Sequence, residues 1–211
     1  MNLYAILTGD LVRSSAIEAS RYPALLQALQ QCLQQFCPPG VAPPVLFRGD
    51  GFQLATLPSQ AFMAALQVRL TLLSLQSDAR LAIAVAPAEQ LRADLNQSTG
   101  QAFTLSGQLL DQLQEQRWDW LDPQQPLTTA EQLLLQLVSV QLQQLTARQA
   151  GVLLAYLQQQ RPPHQQLASF FNTSRVNITH LLNQAQYGLI SQVVDYFTSR
   201  YQQPDGVPRH E

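Results

Sequence analysis

A chain of 211 residues, with 46% apolar side chains and a mean hydropathy of −0.07, has the length for one domain of ordinary size plus a small second one, and the apolar content for a real core. No apolar run approaches the roughly 18 to 20 residues of a membrane span, and the opening Met1-Asn2-Leu3-Tyr4 carries no basic leader, so a cytoplasmic location away from membranes is expected. The net charge of −2 argues against general affinity for polyanions, but all twelve basic residues are Arg and they are unevenly spread: 1–145 hold seven against eleven acids and 146–211 five against three, which makes the C-terminal part the expected nucleic-acid face.

Leu3 to Leu7 is a short apolar run ending at Thr8-Gly9-Asp10, the pattern of a central strand that delivers Asp10 to its tip. After Ser20, Leu25, Leu26, Leu29, Leu33 and Phe36 recur at helical spacing until Pro38-Pro39-Gly40 stops them. Cys32 and Cys37, five apart in this pattern, match no metal-ligand spacing and read as reduced, buried or half-buried thiols. Val45-Leu46-Phe47 and Phe52 to Leu57 flank Arg48-Gly49-Asp50-Gly51, a hairpin signal with Asp50 at the tip. A second helix follows Pro58-Ser59 to about Leu75, with Phe62, Ala65, Leu66, Arg69, Leu70 and Leu73 in phase. Arg80 to Ala86 alternates small and large apolar residues as a fourth strand, Gly100 to Leu110 is a third helix, and Trp118-Asp119-Trp120 is a short strand with both indoles in the core. The order β-α-β-β-α-β predicts an α+β, ferredoxin-like N-terminal domain over 1–127, in which the first strand and the central hairpin are neighbours and Asp10 and Asp50 converge.

From Thr128 a Gln- and Leu-rich segment, capped ahead of Glu131-Gln132, predicts a connector or dimer helix over 128–145 through Leu133, Leu137, Leu142 and Leu145. A second, all-α domain is expected over 146–203. Within it Gln165 to Leu182 reads as a helix-turn-helix: a short helix with a small Ala168, a turn at Asn172, Ser174 as N-cap, and a second helix with Ile178, Leu181, Leu182 and Ala185 inward. No alternating wing strands follow; Ser191 to Tyr201 reads as helix, and 204–211 as a disordered tail.

Thr8-Gly9-Asp10-Leu11-Val12-Arg13-Ser14-Ser15, Arg48-Gly49-Asp50-Gly51-Phe52 and Gly100-Gln101-Ala102-Phe103-Thr104-Leu105-Ser106-Gly107, in this order and with the C-terminal helices, resemble the SatD-like family, and the resemblance spans nearly the whole chain. It implies a domain of the class III nucleotidyl-cyclase or polymerase-palm type fused to a helix-turn-helix. In such domains the first-strand and hairpin aspartates, here Asp10 and Asp50, hold Mg²⁺ over a nucleoside triphosphate. The Asn and Arg of the class III pattern fall on Thr104 and Gln108, which the resemblance makes the expected nucleotide-contacting pair on this helix, although a neutral amide cannot replace a guanidinium in a bidentate phosphate contact.

Each candidate residue carries two readings. Asp10 and Asp50 are metal ligands or turn caps; Arg13, Ser14 and Ser15 cradle phosphate or cap a helix; Arg48 reaches a phosphate or makes a surface ion pair. Arg175, Asn177, Thr179, His180 and Asn183 point away from the apolar face of the second helix and are the expected base-reading set. His164, His180 and His210 have no metal-like spacing. The expected function is a homodimeric DNA-binding regulator whose cyclase-like sensor domain binds, or in a degenerate form once bound, a Mg²⁺-nucleotide. The alternatives are an active metal-dependent cyclase or transferase and a purely structural interaction protein.

Overall fold

The apolar run that opens the chain pairs along its whole length: β1 (Leu3–Leu11) lies between β3 (Gly51–Thr56) and β4 (Ala79–Pro87), antiparallel to both. The computed structural model describes residues 3–47, 49–88 and 91–202, so the expected tail 204–211 and the candidate Arg48 lie outside the described residues. β2 (Val45–Phe47) forms one edge against β3, and β5 (Trp118–Leu121) forms the other, parallel to β4, giving the order β2-β3-β1-β4-β5. With this mixed sheet and eight α-helices among the described residues, the chain is α+β.

Period-two alternation decides which helices cover which face. Ala5, Leu7 and Leu11 of β1 and Leu81, Ile83 and Val85 of β4 join the large core beneath α1 (Tyr22–Gln34) and α2 (Pro58–Ser74). On the opposite face Ile6, Ala55 and Ala86 meet Ala102 of α3 (Gln101–Gln112), and the fully buried Ala82 and Ala84 share that face by alternation. The small residues let α3 lie close to the strands. Cys32 is enclosed in α1 and burial pushes its thiol up to about 11. Cys37 falls past the helix, which ends at Gln34 ahead of Pro38-Pro39, so it sits in the loop and not in the helical pattern read from sequence.

α2 is buried on most of its circumference because it is covered twice, by the sheet on one side and by α5 (Ala147–Gln158) and α8 (Tyr187–Ser199) on the other. Phe62 of α2 stacks on Phe197 of α8 with ring centroids 4.6 Å apart and also meets Trp118, while Trp120 packs on Phe197 and Tyr201. One cluster of buried residues therefore runs from β1 to α8. α4 (Thr129–Gln143) opens on the expected capping box between Thr128 and Glu131. Its buried stripe is Leu135, Val138 and Leu142; Leu133 and Leu137, read as packing positions, face solvent at 53% and 65% exposure.

α6 (His164–Phe170) and α7 (Arg175–Gln184) follow Pro162-Pro163 and are joined by the turn 171–174, in which Asn172 adopts φ 48° and Ser174 accepts from the Asn177 amide at 3.1 Å. After the left-handed Gln186, α8 begins directly; no strand follows α7 among the described residues. No helix among them is long and apolar enough to cross a membrane.

Candidate functional site

The sheet register brings the two aspartates to one end of the sheet. Asp10 is opposite Gly51 across the β1–β3 ladder, and the Leu11 amide donates to the Asp50 carbonyl at 3.1 Å. Gly49 takes φ 90° to turn the hairpin, and the Tyr22 hydroxyl donates to its carbonyl, tying the loop to α1. Gly9 just before has no room for a side chain: a Cβ there would lie 2.4 Å from the Phe52 ring and 2.7 Å from the Arg80 carbonyl.

The carboxylates themselves are engaged apart. Antiparallel pairing of β1 with β4 sets Asp10 directly opposite Arg80. The guanidinium donates Nε–H to one Asp10 oxygen at 2.9 Å and a second N–H to the other, while its third arm reaches the Leu113 carbonyl at 3.0 Å. Hydrogen bonding to Asp10 raises the pKa of Arg80 above its ordinary value. Asp50 accepts from the Ser14 hydroxyl at 2.8 Å. A divalent ion needs carboxylate oxygens free to converge on it. Here Arg80 stands where such a cation would neutralise Asp10, and among the described residues no three His, Cys, Asp or Glu gather. The donor set does not fit a divalent ion while Arg80 holds Asp10.

The other expected phosphate contacts disperse. Arg13, at φ 52°, is exposed and turns with Arg21 toward a cleft that contains neither aspartate; Ser15 is exposed on the 3-10 turn Ser14–Ala16. Thr104 and Gln108 lie on the solvent side of α3, because Ala102 and Ser106, buried on the same helix, face the sheet. It is Ser106 that reaches the strand row of Asp10, sharing a 2.8 Å hydrogen bond with Thr8. Arg80 was the residue missed by sequence reading. Its signal is a charge near the start of β4 and another near the end of β1, which become cross-strand partners once the two strands are paired.

On α7, Ile178, Leu182 and the following Ala185 are buried, and Leu181 is partly so, as the spacing predicts. Arg175, His180 and Asn183 are exposed and, with Val176 and Thr179, line a shallow groove of about 300 Å³. Asn177 and Thr179 are half-buried and tied internally: the Asn177 amide donates to Thr173 Oγ1 at 3.0 Å, and Thr179 Oγ1 bonds His164 Nδ1 at 2.8 Å. Val176, 73% exposed, joins the free face instead, and its apolar side chain carries no sequence signal for such a position. Comparison with protein-family models gives no match, and no curated protein matches the chain.

Proposed function

We propose that the chain is a DNA-binding protein that reads base edges with α7, presented by a helix-turn-helix made of α6, the turn 171–174 and α7. The observation that carries this reading is the free face of α7: Arg175, Val176, His180 and Asn183 stand together on one exposed surface while the opposite stripe is anchored in the core. Arg pairs bidentately with guanine, Asn with adenine, and an apolar side chain meets the thymine methyl. Five Arg against three acids over 146–211 supply modest phosphate attraction, so binding is weak per copy, salt-dependent, and best served by two copies on one site. An uncharged exposed stripe, Leu133, Leu137 and Val140 on α4 with Leu189 on α8, supports a dimer.

Selection of bound sequences from a random duplex library at about 50 mM salt tests the reading, since non-specific affinity is greatest at low salt. Arg175→Ala and Asn183→Ala should each cost about 1–3 kcal/mol on the selected site and relax discrimination at one base pair. No enrichment and no retarded species would sink it.

A second reading, favoured by the approach of Asp10 to the Asp50 turn and by the β2-β3-β1-β4 strand order of ferredoxin-like domains, is the SatD-like palm domain. In this reading Arg80 serves as the built-in counter-ion of Asp10, and a Mg²⁺-nucleotide binds only by displacing it. Thermal midpoints with the four nucleoside triphosphates, with and without Mg²⁺, separate the cases. A Mg²⁺-dependent rise that grows in Arg80→Ala supports the displaced counter-ion; no rise in either protein removes the nucleotide from the account.

A further inference from the structure

Three segments that are distant in sequence enclose a cleft of about 630 Å³: the loop from β1 to α1, the α2–β4 turn, and the junction of α4 with α5. Its volume is within the range of small-molecule sites. Arg13 and Arg21 stand on its walls. The Arg13 side chain is exposed and makes no hydrogen bond or ion pair with any described residue, and Arg21 spends one N–H on the Leu75 carbonyl at 2.6 Å. The one carboxylate in the lining, Asp78, is already matched: Arg69 grips both its oxygens at 3.0 and 2.9 Å and Arg117 approaches at 3.3 Å. Ser77 presents a buried hydroxyl that has no partner among the described residues. On the same cleft α5 begins at Ala147; Thr146 Oγ1 already takes the Gln149 amide at 3.3 Å, which leaves the Ala147 and Arg148 amides without intrahelical acceptors where the helix dipole favours an anion. Ile17, Leu25 and Leu73 supply an apolar wall.

We propose that this cleft binds a phosphate monoester without a metal ion, the oxyanion held by Arg13, Arg21 and the Ser77 hydroxyl and its uncharged body resting on the apolar wall. Guanidinium groups suit oxyanions because they offer paired N–H donors in a plane. This site contains neither Asp10 nor Asp50 and does not depend on DNA binding. It also accounts for two Arg lining one cleft with no carboxylate partner of their own among the described residues.

The test is calorimetric titration of the full chain, in EDTA, with inorganic phosphate and with the nucleoside 5′-monophosphates as probes. Saturable binding of at least one monophosphate, tighter than inorganic phosphate, is expected. Arg13→Asn, which tolerates the left-handed backbone, should weaken it at least about tenfold, a loss in keeping with hydrogen bonds to a charged group. Ala16→Glu, which places a carboxylate on the exposed rim without touching the core, should abolish it, and both variants should melt as the parent does. No saturable binding by any probe, binding unchanged in both variants, or binding that requires Mg²⁺ would overturn the proposal. Equal affinity for inorganic phosphate would overturn the role of the apolar wall.

Discussion

Arg69 is the largest side chain that the core encloses completely, and it is charged. A buried guanidinium is tolerable only if it is paired and its donors are satisfied. Asp78 takes two of them, Ser139 of α4 a third at 3.1 Å, and the Trp118 ring lies 5.5 Å from the cation. Asp78→Ala would leave that charge alone in the interior, and a loss of about 3–5 kcal/mol in urea denaturation is expected. Arg69→Met with Asp78→Asn should recover much of it; if the single Asp78→Ala variant is as stable as the parent, the pair is not what holds Arg69. Gly9 is a steric counterpart. Gly9→Ala drives a methyl into the Phe52 ring and the Arg80 carbonyl, and because backbone cannot move aside as a side-chain tip can, a cost of about 1–3 kcal/mol is expected. The same shift would loosen the Asp10–Arg80 pair, which lies one residue further along the ladder.

Among the elements, those bounded by Gly, Pro or caps were legible in the sequence, and those whose faces are set by distant partners were not. β1, the hairpin, α2 and the α6–turn–α7 unit follow from alternation, Gly and Pro punctuation and caps. That α3 would cover the face bearing Thr8 and Asp10 is a non-local fact, fixed by Ser106 meeting Thr8 across 98 residues. Leucines at 133, 134, 135, 137 and 142 occupy nearly every side of α4, so spacing alone cannot say which side packs. The choice falls to Leu135, Val138 and Leu142, which lie inward with Ser139 bonding Arg69. The remainder, Leu133, Leu137 and Val140, stays outside on a helix whose exposed residues carry no charge. On the proposed dimer, Leu137→Glu should leave the monomer folded while converting a dimer to a monomer in sedimentation velocity, with the melting temperature falling only by the part that association contributes. A parent chain that sediments as a monomer, or a variant that remains dimeric, would remove α4 as the dimer face.

Across the whole molecule the last turn of α8 is latched to the start of α4. Glu131, 2% exposed, receives the Thr128 amide at 2.6 Å and hydroxyl at 2.8 Å, the Tyr196 hydroxyl at 2.8 Å, and the Arg200 guanidinium, which also reaches the Gln125 and Pro126 carbonyls. One carboxylate thus joins the sheet's exit loop, the α4 cap and the final helix. Its burial would raise its pKa, but the hydrogen bonds from Thr128 and Tyr196 and the charge of Arg200 outweigh that and hold it below the ordinary glutamate value. A carboxylate with a depressed folded pKa stabilises fully above its unfolded pKa of about 4.3 and loses that contribution as pH falls through the folded value. Because Phe62, Trp118, Trp120 and Phe197 form one aromatic cluster between the sheet and α8, releasing the latch should destabilise both parts in a single transition. Glu131→Gln keeps the shape and removes the charge, so at pH 7 a loss of roughly 1.5–3 kcal/mol, the worth of hydrogen bonds to a charged group, is expected. Followed by urea denaturation from pH 7 to pH 3, the gap between parent and variant should stay constant down to about 4.3 and narrow below it as the parent's own Glu131 takes up a proton. A gap that stays constant across the whole range would mean that the charge of Glu131 is not what secures α8.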